Sequence, residues 1–380
     1  MVELPQQFQI MLHDLLGNEA FDLIKALDEP PITSVRINKR KPGAEFENSY
    51  SVPWCPSGFY LKERPEFILD PLLHAGAYYV QDASSMIYET VVTKLVKELN
   101  DSRYLKVLDL CAAPGGKTTA MINSLPDESE IVANEYSVRR VGALKENIDK
   151  WGYPFVKVTN KDSKYYAEQG EEYDIVAVDA PCSGEGMMRK EEMARKQWSW
   201  DLVSQCSVLQ KEILRTAYQA LKPGGFLIYS TCTFNRMENE GNAEYIKNEL
   251  ALWPFELSFP EKWGIPSGIQ TDLPVYRFMP HKTKGEGLFL SVFRKPGVWE
   301  PSKKKTDLKS ELTKPQIYPL VEIDKVTALA YLRRESLVLP QGSPLGLVTI
   351  TYKGLPLGQA KNIGSRANNL YPKNRRILKR

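Results

Sequence analysis

The feature that most constrains this chain is a regular alternation that begins at Lys106. Short runs rich in aliphatic and aromatic residues, Lys106–Leu110, Ile131–Glu135, Phe155–Thr159, Tyr173–Asp179 and Gly225–Ser230, are separated by segments with helical spacing such as Val138–Trp151 and Asp201–Leu221. Apolar runs of this length read as strands, and strands that alternate with helices form a parallel sheet with right-handed crossovers. Gly287–Arg294 reads as a last strand, antiparallel and at the sheet edge. The fold class is therefore α/β, with a mostly parallel sheet that binds ligands at the carboxyl ends of its strands.

The flanks differ from this centre. Residues 1–68 read as a small α+β domain, a candidate RNA-binding unit. Phe8, Met11, Leu12, Leu15 and Leu16, then Phe21, Leu23 and Ile24, recur at helical spacing; Pro30-Pro31 stops the pattern, and Thr33–Asn38 reads as a strand. Arg36 alternates outward on that strand, as an RNA contact or an ordinary solvated position. Residues 69–297 form the central domain, with Tyr78–Asp82 as a lead-in turn and Asp82 capping a helix from Ala83. Residues 298–315, rich in Pro and charge, read as a linker, and 316–380 as a compact C-terminal module.

Charge separates the same parts. The 380 residues carry a net +3, but residues 301–380 hold 16 Lys and Arg against 5 Asp and Glu, which is +11, and the rest is −8. A basic module on an enzyme-like body fits a polyanionic partner; a solvated basic surface is the plainer alternative. Five unpatterned cysteines and an N-terminus without a basic-then-apolar leader point to the cytoplasm, and no apolar stretch approaches a membrane span. His13, His74 and His281 lie far apart, so no metal site is expected.

Three turns after strands carry the chemistry. The first is Asp109-Leu-Cys-Ala-Ala-Pro-Gly-Gly-Lys117. A phosphate-binding loop of the Gly-x4-Gly-Lys-Thr type needs glycine where Cys111 stands, and the Gly-x-Gly-x-x-Gly fingerprint is absent too. What remains is a nucleoside-type cofactor without a pyrophosphate, held by Cys111, Ala112, Ala113, Pro114, Gly115, Gly116 and Lys117. Glu135, after the second strand, is placed for the ribose hydroxyls, Asp162, after the third, for an adenine amino group, and Arg140 joins this set. Helix capping is the alternative role of each acid.

The other two turns hold thiols, Cys182 in Asp179-Ala-Pro-Cys and Cys232 in Ser230-Thr-Cys-Thr. Cys55 and Cys206 read as small buried apolar groups, as does Cys111 apart from its loop. A thiolate that adds to C6 of cytosine makes C5 enamine-like, so that it attacks an electrophilic methyl; a hydrogen-bonding group must meet the charge at N3. Asp179, Cys182 and Cys232 are the residues for this work. Gly184–Trp200 reads as an RNA-side loop, with glycines for mobility and Arg189 and Lys190 for phosphate, or as a plain amphipathic helix from Lys190.

Asp109–Thr118, Asp179–Gly184 and Tyr229–Thr233 resemble the motifs of the RNA cytosine-C5 methyltransferases, the Nop2/Sun/RsmF family, most closely its RsmF- and EfmM-type 16S rRNA methyltransferases. Tyr78–Ser85, Pro280-His281 with Gly285-Glu-Gly287, and the tail from Leu357 to Lys373 extend the resemblance over most of the chain. The resemblance implies a class I, Rossmann-like methyltransferase domain that uses S-adenosyl-L-methionine, with a PUA-like RNA-binding C-terminal domain. It implies Cys232 as nucleophile and Cys182 as the thiol that assists release; DNA cytosine methyltransferases attack with the Pro-Cys cysteine and lack the second. It also implies small-subunit ribosomal RNA as partner, methylation in the decoding region and resistance to some aminoglycosides. A transfer-RNA methyltransferase and an RNA-binding ribosome-assembly factor are the rival readings. Arg366, Lys373, Arg375 and Arg376 are the tail's candidate RNA contacts, and a monomer is expected.

Overall fold

β8 (Tyr173–Asp179) shows how the centre is organised. Ile175 and Ala177 pack into one apolar cluster with the helix Ile87–Glu98, while Val176 and Val178 pack into another with the helix Trp200–Ala220. A strand whose alternate residues enter two cores lies inside a three-layer sandwich, which is why it reads as an unbroken apolar run. The computed structural model describes residues 2–100, 102–302 and 318–379.

The central sheet has eight strands. β5 (Lys106–Asp109), β6 (Glu130–Asn134), β7 (Val156–Thr159), β8 and β9 (Leu221–Thr231) are parallel; β10 (Trp253–Pro254), β11 (Val275–Phe278) and β12 (Leu288–Arg294) join at one side. The order is β10-β12-β9-β8-β5-β6-β7, with β11 also on β12. The chain leaves β5 for β6 and β7, then returns to β8 on the other side of β5. That reversal opens a crevice at the carboxyl ends of β5 and β8, the usual ligand site of such sheets. β12 is antiparallel to β9 as expected but not at the edge, because β10 and β11 both pair with it.

The N-terminal domain has two helices, Gln6–Leu16 and Glu19–Asp28, and a sheet of β1 (Ser34–Ile37), β2 (Ser49–Ser51), β3 (Gly58–Leu61) and β4 (Tyr78–Val80), in the order β2-β3-β1-β4. β4 corrects the expected boundary at residue 68. The segment read as a lead-in turn is a strand antiparallel to β1, so this domain runs on into the central one. Asp82 does cap the next helical turn, its Oδ2 accepting from Ser85 N at 3.1 Å.

The C-terminal domain comprises β13 (Leu320–Glu322), the helix Lys325–Leu332, β14 (Gly346–Tyr352), β15 (Leu355–Asn362) and β16 (Ala367–Asn369), with a core around Tyr331, Val348, Ile350 and Ala360. Tyr371 belongs to that core, buried 5.4 Å from the Tyr331 ring. Most of the expected linker lies outside the described residues. Its start packs on the body, where Trp299 Nε1 donates to Asp174 Oδ1 at 2.9 Å. No helix among the described residues is long and apolar enough to cross a membrane.

Candidate active site

The loop after β5 turns where Gly115 adopts φ +106°, a conformation that favours glycine, and the helix Gly116–Ile122 begins at the next residue. The loop's carbonyls are held from outside. Ala113 O accepts from Arg140 Nη2 at 2.5 Å and Pro114 O from Asn147 Nδ2 at 2.9 Å. Asp109, wholly buried beneath, accepts from Thr118 Oγ1 at 2.6 Å, and burial pushes its carboxyl up to about 7.

Glu135 closes one side of this loop. Its Oε1 accepts from Ser137 N at 2.8 Å, while Oε2 is buried without a hydrogen bond, 3.4 Å from Arg140 Nη1. A buried carboxylate oxygen left open beside a glycine turn fits a ligand that offers hydroxyl donors. Asp162 is exposed, and its Oδ1 accepts from Lys164 N at 2.9 Å in the turn that leads into the helix Lys164–Gln169.

The thiol turns meet beside it. Cys182 Sγ and Cys232 Sγ are 3.2 Å apart, both half-buried and free. The hydrogen bond with Cys232, then burial, pushes the Cys182 thiol well up. Asp179 Oδ1 accepts from Ser230 Oγ at 2.7 Å, and Oδ2 pairs with Lys117 Nζ at 2.7 Å. Burial opposes the charge on Lys117, but Asp179 prevails and the ammonium is held above its usual range. The loop lysine, the β8 acid and both thiols thus form one constellation.

Two buried carboxylates that the sequence reading missed hold the thiol turns together. Glu238 accepts from Ser183 N at 3.0 Å, Gln210 Nε2 at 2.7 Å and Asn235 Nδ2 at 2.8 Å. Glu185 accepts from Asn235 N at 2.9 Å, Asn235 Nδ2 at 2.8 Å and Trp198 Nε1 at 2.9 Å. Gly186 is wedged between the backbones, since a Cβ there would lie 2.7 Å from Glu286 O and 2.9 Å from Cys232 O. The only signal in the sequence was the acids' position, three residues after Cys182 and six after Cys232.

Two expected RNA contacts, Arg36 and Arg189, are corrected. Arg36 is wholly buried, because β1 is covered on both faces and alternation there has no outside. Arg189 is also buried and donates to Glu29 O, Pro30 O and Gly285 O. Its segment is no mobile loop; Met188 and Trp198 pack against Phe8 and Leu12 of the N-terminal helices. Arg375 pairs with Asp149 at 2.8 Å across the domain boundary. Lys190, Arg366, Lys373 and Arg376 are exposed. Lys190 and Asp82 line a cleft of about 590 Å³ between the N-terminal and central domains.

Residues 95–294 match the family model of the 16S rRNA methyltransferase RsmB/F, residues 4–83 that of the N-terminal domain of 16S rRNA methyltransferase RsmF, and residues 318–377 that of the methyltransferase RsmF PUA domain. The chain is similar to ribosomal RNA small subunit methyltransferase F of Shewanella baltica, 38% identical over 261 residues that cover 65% of this chain and 54% of that protein. It is also similar to the enzyme of that name from an Enterobacter species, 35% identical over 317 residues, 78% of this chain and 64% of that protein. The chain spans about half the length of the first of these relatives. Among solved structures, a methyltransferase homolog protein from Pyrococcus horikoshii superposes with a TM-score of 0.65 at 25% identity, covering 77% of this chain and 95% of that one.

Proposed function

Because the chain belongs to the 16S rRNA methyltransferase RsmB/F family, we propose that it methylates carbon 5 of a cytosine in small-subunit ribosomal RNA, using S-adenosyl-L-methionine. The observation that carries this reading is the thiol pair, two free cysteines 3.2 Å apart beside a Lys117–Asp179 ion pair. A lone buried cysteine is an ordinary core residue, whereas two in contact at the functional edge of the sheet suit covalent addition and release.

The β5 loop, Glu135 and Arg140 would hold the cofactor, and Asp162 is the residue we assign to its base. When bound, it supplies an electrophilic methyl group. Cys232 Sγ adds as the thiolate to C6 of the flipped-out cytosine, and the Lys117 ammonium, held in place by Asp179, meets the negative charge that develops at N3. After transfer, loss of the C5 proton to a base expels the Cys232 thiolate. Cys182, whose sulfur lies 3.2 Å from that of Cys232, is the group at hand to assist the release. Lys190, Arg366, Lys373 and Arg376 would attract phosphates. On this reading a methyl placed in the decoding region alters an aminoglycoside-binding surface and so gives resistance.

The test is a pair of variants. Cys232→Ala should give no product and no adduct, while Cys182→Ala should trap a covalent protein–RNA species, seen as a slow band on a denaturing gel. An active Cys232→Ala with an inert, adduct-free Cys182→Ala would reverse the two roles.

A further inference from the structure

Arg36, Asn38 and Lys41 stand on and just after β1, in the N-terminal domain, yet each donates to backbone carbonyls of the catalytic domain. Arg36 Nη1 donates to Thr119 O at 3.1 Å, and Nη2 to Gly116 O at 3.2 Å and Thr119 Oγ1 at 2.6 Å. Its Nε donates to Gln81 Oε1 at 2.7 Å, and the guanidinium lies 4.7 Å over the Trp151 ring. Asn38 Nδ2 donates to Trp151 O at 3.0 Å and Gly76 O at 2.9 Å. Lys41 Nζ donates to Lys150 O at 2.6 Å and Ala75 O at 2.8 Å.

The recipients are specific. Gly116 begins the helix that leaves the cofactor loop. Lys150 and Trp151 end the helix Val138–Trp151, whose last carbonyls have no partner within the helix. The first turns of that second helix carry Arg140, which holds Ala113 O and faces Glu135. The far end of the first helix is tied back as well, Asn123 Nδ2 donating to Ile37 O at 3.0 Å. One strand of the N-terminal domain therefore grips both helices that bound the cofactor loop. A guanidinium is costly to bury, and here it is buried against main-chain oxygens at the loop.

We infer that Arg36, Asn38 and Lys41 are positioning residues that set the shape of the cofactor loop from the neighbouring domain. Cofactor affinity then depends on side chains that never touch the cofactor. The inference rests on the cofactor reading above.

The test uses the full chain. Arg36→Lys keeps the charge and loses the fork; Asn38→Ala and Lys41→Gln are milder changes should Arg36 variants fold poorly. Calorimetric titration with S-adenosyl-L-methionine should show affinity reduced tenfold or more in Arg36→Lys and about threefold in Asn38→Ala and Lys41→Gln. RNA affinity and kcat at saturating cofactor should stay within twofold. Hydrogen exchange at residues 112–120 should quicken at a temperature where the variants melt no earlier than the parent. Wild-type cofactor affinity with unchanged exchange in the folded variants would overturn the inference. So would a parallel loss of RNA and cofactor binding with early melting, which marks general destabilisation. If the parent itself binds no S-adenosyl-L-methionine, the cofactor reading fails instead, and the exchange measurement still decides whether this strand orders the loop.

Discussion

The two outer domains are attached to the catalytic domain in opposite ways. On the N-terminal side the contacts are buried: Arg189 and Arg195 reach carbonyls of Val2, Leu27, Glu29 and Pro30. Leu4, Phe8 and Leu12 share a core with Met188, Trp198 and Phe234. On the C-terminal side the domain keeps its own core and meets the body through a small seam, where Leu69 and Ala75 join its cluster, and through ion pairs Arg375–Asp149 and Lys379–Glu66. Both Lys379 and Glu66 are more than half exposed. The first attachment makes the N-terminal domain part of the catalytic body. The second leaves the C-terminal domain a module that docks, with the chain's excess positive charge.

If the two attachments differ in this way, the greatest loss of stability is expected at Arg195. Its side chain is 1% exposed and donates to Met188 O at 2.6 Å, Leu27 O and Val2 O at 2.8 Å and Asp28 Oδ1 at 2.9 Å. Arg195→Met strands the buried carbonyls of Met188 and Leu27. We expect a loss of about 3 kcal/mol in urea denaturation, with the whole body unfolding in one transition. A loss under about 0.5 kcal/mol, the scale of an ordinary surface change, would mean that the N-terminal helices are no more integral than the tail.

Removing residues 303–380 should have the opposite signature. The body should keep its melting temperature within a few degrees and its cofactor affinity unchanged, because the C-terminal core is separate. RNA affinity should fall, and log affinity should depend less steeply on log salt, by about 0.7 to 0.9 for each phosphate that the tail no longer neutralises. An unchanged slope would move the RNA anchor to the body.

The same contrast marks what the sequence disclosed. Tyr173–Asp179 and Val138–Trp151 occupy the residues that periodicity assigns to them, because burial on two faces or one stripe writes itself into the order of residues. The three turns were legible because glycine, proline and cysteine have few reasons to cluster after strands. β4, β10 and β11 were not, since two to four residues carry no period and are made strands by distant partners. Nor was the fate of the arginines legible. Arg36 and Arg189 look like surface charges until the carbonyls they satisfy are brought beside them from far along the chain. Glu185 and Glu238 were missed for the same reason, as acids whose donors come from Ser183, Gln210 and Asn235.

The smallest effect concerns the docking ion pairs themselves. Arg375 and Asp149 side chains are 22% and 48% exposed, Lys379 and Glu66 55% and 58%, so water screens both attractions. Exposed pairs of this kind contribute about 0 to 1 kcal/mol each, too little to fix a domain whose apolar seam is also small. Arg375→Ala with Lys379→Ala should therefore leave the melting temperature within about 2 °C and loosen only the placement of the C-terminal domain. In solution scattering, the radius of gyration of the double variant at low salt should match that of the parent at high salt. If the parent's radius is indifferent to salt and the double variant keeps the parent's value, the seam of Leu69, Ala75, Tyr352 and Leu355 does the docking. The contrast between the two attachments would then be one of extent, not of kind.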